Sequence, residues 1–173
     1  MQRSSQAAFS LLEVVIAAGI FAVAVTVMLA LLPALTKQNI ETSDTLVAQR
    51  LPDNLRLELR RLAEGNFNAL VAAFPMMAAP LENGLPFVAA RDGSRLHSAN
   101  YLPPTIDSLI AEGERYYAIE VWQFNQGPLR YNASAAVIAI HVRVSWPYFN
   151  PGSPTPTPLA ARSQFTFNTA INR

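Results

Sequence analysis

The sequence predicts an α+β protein: a long N-terminal helix, apolar in its first half and amphipathic in its second, packed on a small antiparallel β-sheet. Three observations predict it. Val14 to Leu35 is a run of 22 residues with no formal charge. Leu51, Leu55, Leu59 and Leu62 then recur at the spacing of one helical face. Much later, Ile138, Ile140, Val142, Val144 and Trp146 alternate with Ala139, His141, Arg143 and Ser145, the period-two pattern of a strand with one dry side.

The apolar run comes first in the chain and constrains most. A helix of that length reaches ~33 Å, enough for a hydrocarbon layer of ~30 Å. A secretory signal peptide is the competing reading, but its apolar core is only ~7–15 residues, and here the apolar character continues well past Ala22 and Ala24. Arg3 precedes the run, and Lys37, Glu41 and Asp44 follow it, so the positive-inside tendency favours a cytoplasmic N-terminus. Pro33 predicts a kink or local loosening near the membrane exit.

One acid interrupts the apolar texture. Glu13 sits just before the run, and its nearest cation in the preceding sequence is Arg3, ten residues away. An unpaired carboxylate costs ~2.5–3.5 kcal/mol at the centre of a membrane and less towards the interface. Hydrolysis between Ala8 and Phe9 would create the missing cation, an α-amino group on Phe9 about one helical turn from Glu13. The alternative is a hydrated Glu13 at headgroup depth, without a role.

Ala8, Phe9, Ser10, Leu11, Leu12, Glu13, Val14, Val15, Ile16 and Ala17 resemble the cleavage and methylation site of type IV prepilins and type II secretion pseudopilins. There a small residue precedes an aromatic one, followed by Ser or Thr, Leu, any residue and Glu. The family usually has Gly before the cut; this chain has Ala8, the next smallest side chain. The resemblance implies a pilin-like fold and four segments: a leader peptide at 1–8, a transmembrane and assembly helix at 9–35, an amphipathic helix at 36–64 and an antiparallel β head at 65–173. It also implies a prepilin peptidase that removes Met1 to Ala8 and methylates the new amine of Phe9. Glu13 would then pair with the Phe9 amine of a neighbouring pilin or pseudopilin subunit. The implied location is the bacterial inner membrane, single-pass, with a cytoplasmic N-terminus and a periplasmic head.

Beyond the span, the Leu stripe places one helical face on a sheet, while Arg50, Arg56, Glu58, Arg60, Arg61 and Glu64 take the wet faces. Pro52 predicts a break into two helices, and Gly65 followed by Asn66 predicts the end. Pro and Gly then punctuate a loop-rich stretch. Within it, Phe87 to Ala90 and Arg95 to His97 flank Arg91-Asp92-Gly93-Ser94, a hairpin whose Asp-Gly suits a tight turn. Arg115 to Phe124, Val137 to Trp146 and Gln164 to Ala170 are the remaining predicted strands. Pro147 to Pro158 holds five prolines and reads as an extended surface loop.

Composition excludes several functions. With 173 residues, the chain has room for one modest domain and an anchor. It has no cysteine, hence no disulfide, thiolate metal site or cysteine nucleophile. The formal charge of +1 gives no global case for nucleic acid, although Val121 to Arg173 carries Arg130, Arg143, Arg162 and Arg173 and no acid. Major pseudopilins often hold calcium in a late loop, and a chain without a side-chain carboxylate after Glu120 is poorly equipped for it. A minor subunit, with no cofactor or metal, is therefore expected.

His97 and His141 have no nucleophile or acid pair at a recognisable spacing and are expected at the surface, so no enzyme is predicted. Three functions remain open. The first is a structural subunit that joins, primes or caps a filament. The second is a binding module in which Arg130, Arg143 and Arg162 with Tyr131, Trp146, Tyr148 and Phe149 grip DNA or another anionic polymer. The third is an unrelated single-pass anchored protein.

Overall fold

The computed structural model describes residues 10–81, 83–99, 110–134, 136–150 and 152–173. One helix, α1 (Leu11–Ala73), leads into a five-stranded antiparallel sheet. Its strands are β1 (Leu85–Ala90), β2 (Leu96–Ser98), β3 (Arg115–Gln123), β4 (Val137–Trp146) and β5 (Ser163–Asn172), ordered β2-β1-β3-β4-β5. The fold is α+β and pilin-like in architecture. The chain divides into two units, with the boundary between Ser43 and Asp44.

In the second unit, Ala48, Leu51, Leu55, Leu59 and Leu62 of α1 are all buried, so the predicted stripe is the helical half of the core. The sheet contributes Phe87 and Ala89, Tyr117, Ile119 and Val121, Ile138 to Trp146 in alternation, and Ile171. Each fully buried Leu or Ile stabilises by ~1.5–3 kcal/mol. The register explains why these side chains meet: Ile138 faces Ile171, Val142 faces Phe167, and Val144 faces Phe165 across the β4–β5 pair.

The helix differs from expectation at its prolines and its end. It runs through Pro33 and Pro52 with helical dihedrals, Asn66 being its one non-helical position. A proline in a helix costs ~3 kcal/mol or more. At Pro52 the fully buried Leu51 and Leu55 on either side hold the two halves in line and offset that cost. The break comes at Asn66 (φ −164°, ψ 92°), beside the Gly65 expected to end the helix. Helix then resumes as far as Ala73, because Asn66 Oδ1 accepts the Ala69 N–H at 3.0 Å and caps the new turn. That extra piece buries Phe67, Leu70 and Val71.

The predicted hairpin forms between β1 and β2, with Gly93 at φ +70° in its turn. Asn54 Nδ2 donates to Gly93 O at 2.7 Å and ties this turn to α1. A side chain at Gly93 would also meet Val47 Cγ1 at 2.9 Å. Just before β1, Gly84 permits a close approach to β3: a Cβ there would lie 2.8 Å from both Trp122 and the Val121 backbone nitrogen.

The second face of the sheet is drier than its alternation predicts. Arg143 and Ser145, expected in water, are buried, as is Trp122. Arg143 stacks over the Trp122 ring at 5.0 Å and donates to Glu120 Oε2 at 2.7 Å, so its charge is met before it is covered. The loop from Pro147 onwards supplies cover through Tyr148, which packs against Val88, Ala90 and Ile110. His97 is also buried, at 3% exposure. Its Nε2 accepts the Ile110 N–H (3.1 Å), which assigns the ring proton to Nδ1, donated to Ser98 O (2.9 Å). His141 is half-buried and pairs with Asn168 across β4 and β5 at 2.8 Å.

Candidate functional site

The candidate site is the start of α1. Ser10 precedes the first helical residue, and its hydroxyl oxygen accepts the Glu13 N–H at 3.3 Å while its carbonyl accepts the N–H of Glu13 (3.0 Å) and Val14 (3.3 Å). Ser10 is thus an N-cap, and Ser10-Leu11-Leu12-Glu13 has the Ser-x-x-Glu spacing of a capping box. Glu13 lies in the first turn, where the helix dipole favours negative charge. Its carboxylate has no ion-pair partner among the described residues. The capping role of Ser10 was legible in the Ser-x-x-Glu spacing, although the lone acid alone drew the sequence argument.

Behind Glu13 every residue to Ser43 is exposed in the isolated chain, including Leu11, Ile20, Phe21 and Met28. The most apolar 18-residue stretch of α1 has none of its residues buried. By length and composition it can cross a membrane, and an apolar helix with no protein cover needs another apolar surrounding. Its hydroxyls are provided for internally: Thr26 donates to Ala22 O at 2.8 Å and Thr36 to Leu32 O at 2.9 Å.

The family model described as the prokaryotic N-terminal methylation motif matches residues 3–29. The chain carries a prepilin-type methylation motif. The match covers Ser10, Glu13 and most of the apolar run, and it is consistent with the type IV pilin and pseudopilin family. No curated protein and no solved structure matches this chain. The motif points to a structural subunit, implies processing by a prepilin peptidase and assembly with other pilin subunits, and fits membrane anchoring through α1. Ala8 and Phe9, the expected cleavage and methylation positions, lie outside the described residues.

In the second unit, the first buried residue of α1 is an acid. Asp44, 5% exposed, accepts Arg91 Nε and Nη2 (both 3.1 Å) and the Tyr116 hydroxyl (2.6 Å), while its backbone carbonyl accepts the Tyr117 hydroxyl (2.8 Å). Arg91 also lies over the Tyr116 ring at 4.7 Å. Burial, reinforced by the bond to Asp44, pushes the Tyr116 hydroxyl up to about 12; burial raises Tyr117 as well. The bond to Asp44 raises Arg91 in turn. This cluster fastens α1 to β3 and to the β1–β2 turn. Sequence reasoning used Asp44 only as a charge after the apolar run and missed this role, because its partners lie 47 and 72 residues away.

The basic, aromatic surface considered for DNA does not assemble. Trp146 and Phe149 are buried, and Arg143 is spent on Glu120. Arg162 is half-buried against Tyr148, its ring contact at 4.7 Å. Stacking of nucleic-acid bases requires exposed aromatic faces, and two of the four aromatics expected to provide them are buried in the fold.

Proposed function

We propose that this protein is a minor pilin or pseudopilin, a membrane-inserted subunit that assembles into, primes or caps a filament after cleavage between Ala8 and Phe9. One observation carries the reading: a long apolar helix without protein cover begins with a capped turn whose carboxylate, on Glu13, has no counter-charge among the described residues. Cleavage would place an α-ammonium on Phe9, immediately before the Ser10 cap. A cation at the positive end of a helix dipole is unfavourable, and a carboxylate from a neighbouring subunit relieves it. Both charges are costly alone in lipid and offset each other in the assembly. Polymerisation is thereby favoured over the isolated protomer. The N-terminus lies on the cytoplasmic side of the inner membrane and the head in the periplasm, in accord with the positive-inside tendency.

Mass spectrometry of the mature protein tests this directly. A chain beginning at Phe9 with one added methyl group is expected; a chain retaining Met1 to Ala8 overturns the proposal. Separately, Glu13→Leu is expected to insert normally and fail to enter filaments. Normal incorporation of that variant removes the charge-pair argument.

A further inference from the structure

On the second face of the sheet lies a cavity of about 460 Å3, bordered by β1, β3, β4 and the segment around Leu159. Four charged side chains line it: Arg115, Glu120, Arg143 and Arg162. Arg143 donates both Nε (3.0 Å) and Nη2 (2.7 Å) to Glu120 Oε2, which settles that pair. The other two guanidinium groups have no carboxylate partner among the described residues. Arg162 Nε donates to Thr157 O at 2.6 Å and Nη1 to Ser145 Oγ at 3.3 Å, both neutral acceptors. Among the described residues, Arg115 donates only Nε, to Ile110 O at 3.3 Å.

Among the described residues, three cations and one anion thus share one cavity. Half-burial lowers the Arg162 pKa, and the like charge of Arg143 lowers it further, while Glu120 offsets only part of that shift. A guanidinium with free N–H edges presents a fork matched to a carboxylate or phosphate group. The volume falls within the ~300–1,000 Å3 of small-molecule pockets, and Pro86, Val88 and Ala118 give it an apolar wall.

We propose that this cavity is an oxyanion-binding site, in which the free edges of Arg115 and Arg162 hold a ligand bearing a carboxylate or phosphate group with one or two negative charges. The ligand is a small dissolved anion or the acidic side chain of another polypeptide, and both present the same group to the two arginines. This assignment is independent of the N-terminal processing proposed above.

The test is isothermal titration calorimetry of the full chain in non-ionic detergent micelles. Citrate, inorganic phosphate and a hexaglutamate peptide are each titrated against sodium chloride of matched ionic strength. Saturable binding is expected for at least one probe, weakened tenfold or more by Arg115→Gln and by Arg162→Gln. Arg60→Gln, on an exposed part of α1, is expected to stay within twofold. If Arg162→Gln fails to fold by circular dichroism, Arg115→Gln decides, since that side chain makes one bond among the described residues. Binding of hexaglutamate alone identifies a polypeptide as the source and sustains the site. Absence of saturable binding to every probe, or an equal loss in Arg60→Gln, overturns the proposal.

Discussion

Replacing Asp44 with alanine removes the acceptor at the centre of the contact between α1 and β3. The Tyr116 hydroxyl donates to a carboxylate whose side chain is 8% exposed, and hydrogen bonds to charged groups contribute ~1.5–3 kcal/mol. Arg91 is 51% exposed, so water replaces much of what it loses and its share falls to the ~0.2–1 kcal/mol of a surface pair. Alanine returns up to ~0.7 kcal/mol in helix propensity. The net expectation is a loss of ~1–4 kcal/mol. Urea unfolding of the full chain in micelles can measure it through tryptophan fluorescence, because Trp122 and Trp146 both lie in the second unit. With a slope of ~2 kcal/mol per molar urea, 2 kcal/mol moves the midpoint by about 1 M. The double-mutant cycle with Tyr116→Phe isolates the shared bond and is expected to show a coupling of ~1 kcal/mol or more. A loss below ~0.5 kcal/mol, or additivity within ~0.3–0.5 kcal/mol, refutes the assignment of Asp44 as the fastening point.

Leu59→Ala is expected to cost ~2–5 kcal/mol in the same unfolding assay, whereas Leu57→Ala, 64% exposed, stays within ~0.5 kcal/mol; equal losses would contradict the assigned helix face. Because Tyr116 is raised from 10.0 to about 12, the stability owed to its neutral form is whole below pH 10 and is lost as the pH climbs through about 12. Absorbance at 295 nm is therefore expected to show Tyr116 and Tyr117 ionising at higher pH in the native protein than in urea. Ser10→Ala is expected to cost ~0.5–2 kcal/mol of local helix stability, read as faster amide exchange from Leu11 to Val14, with Ser10→Thr restoring protection. Unchanged exchange in the alanine variant rules out the cap.

Much of the architecture was legible because local patterns dictate it. β4 occupies Val137–Trp146 as its alternation predicts, and the Leu51 to Leu62 stripe is buried. The errors fall where distant residues decide the outcome. Pro52 reads as a break until the burial of Leu51 and Leu55 is known. Asn66 interrupts the helix and also restarts it, a double role that depends on Phe67, Leu70 and Val71 finding the core. Arg143, Ser145 and His97 have the chemistry of surface residues. They are covered because Tyr148 and Ile110 pack near the second face, and nothing in their own segments announces it. At the candidate site, the motif, the apolar run and the lone acid were all readable, since each is contiguous in sequence. Arg143 and Arg162 were singled out as anion-binding candidates, but Arg115 was not, because only the folded sheet brings it beside Arg162.

Thr26 and Thr36 each close their hydroxyl on a carbonyl of their own helix. Such a helix carries its polar obligations with it. Passing from lipid tails into a bundle of similar helices exchanges one apolar neighbour for another and ruptures no bond at either hydroxyl. Under the proposed assembly, neither hydroxyl would resist a move of this rod between a bilayer and a bundle, which leaves dispersion and the charge at one end to govern the exchange.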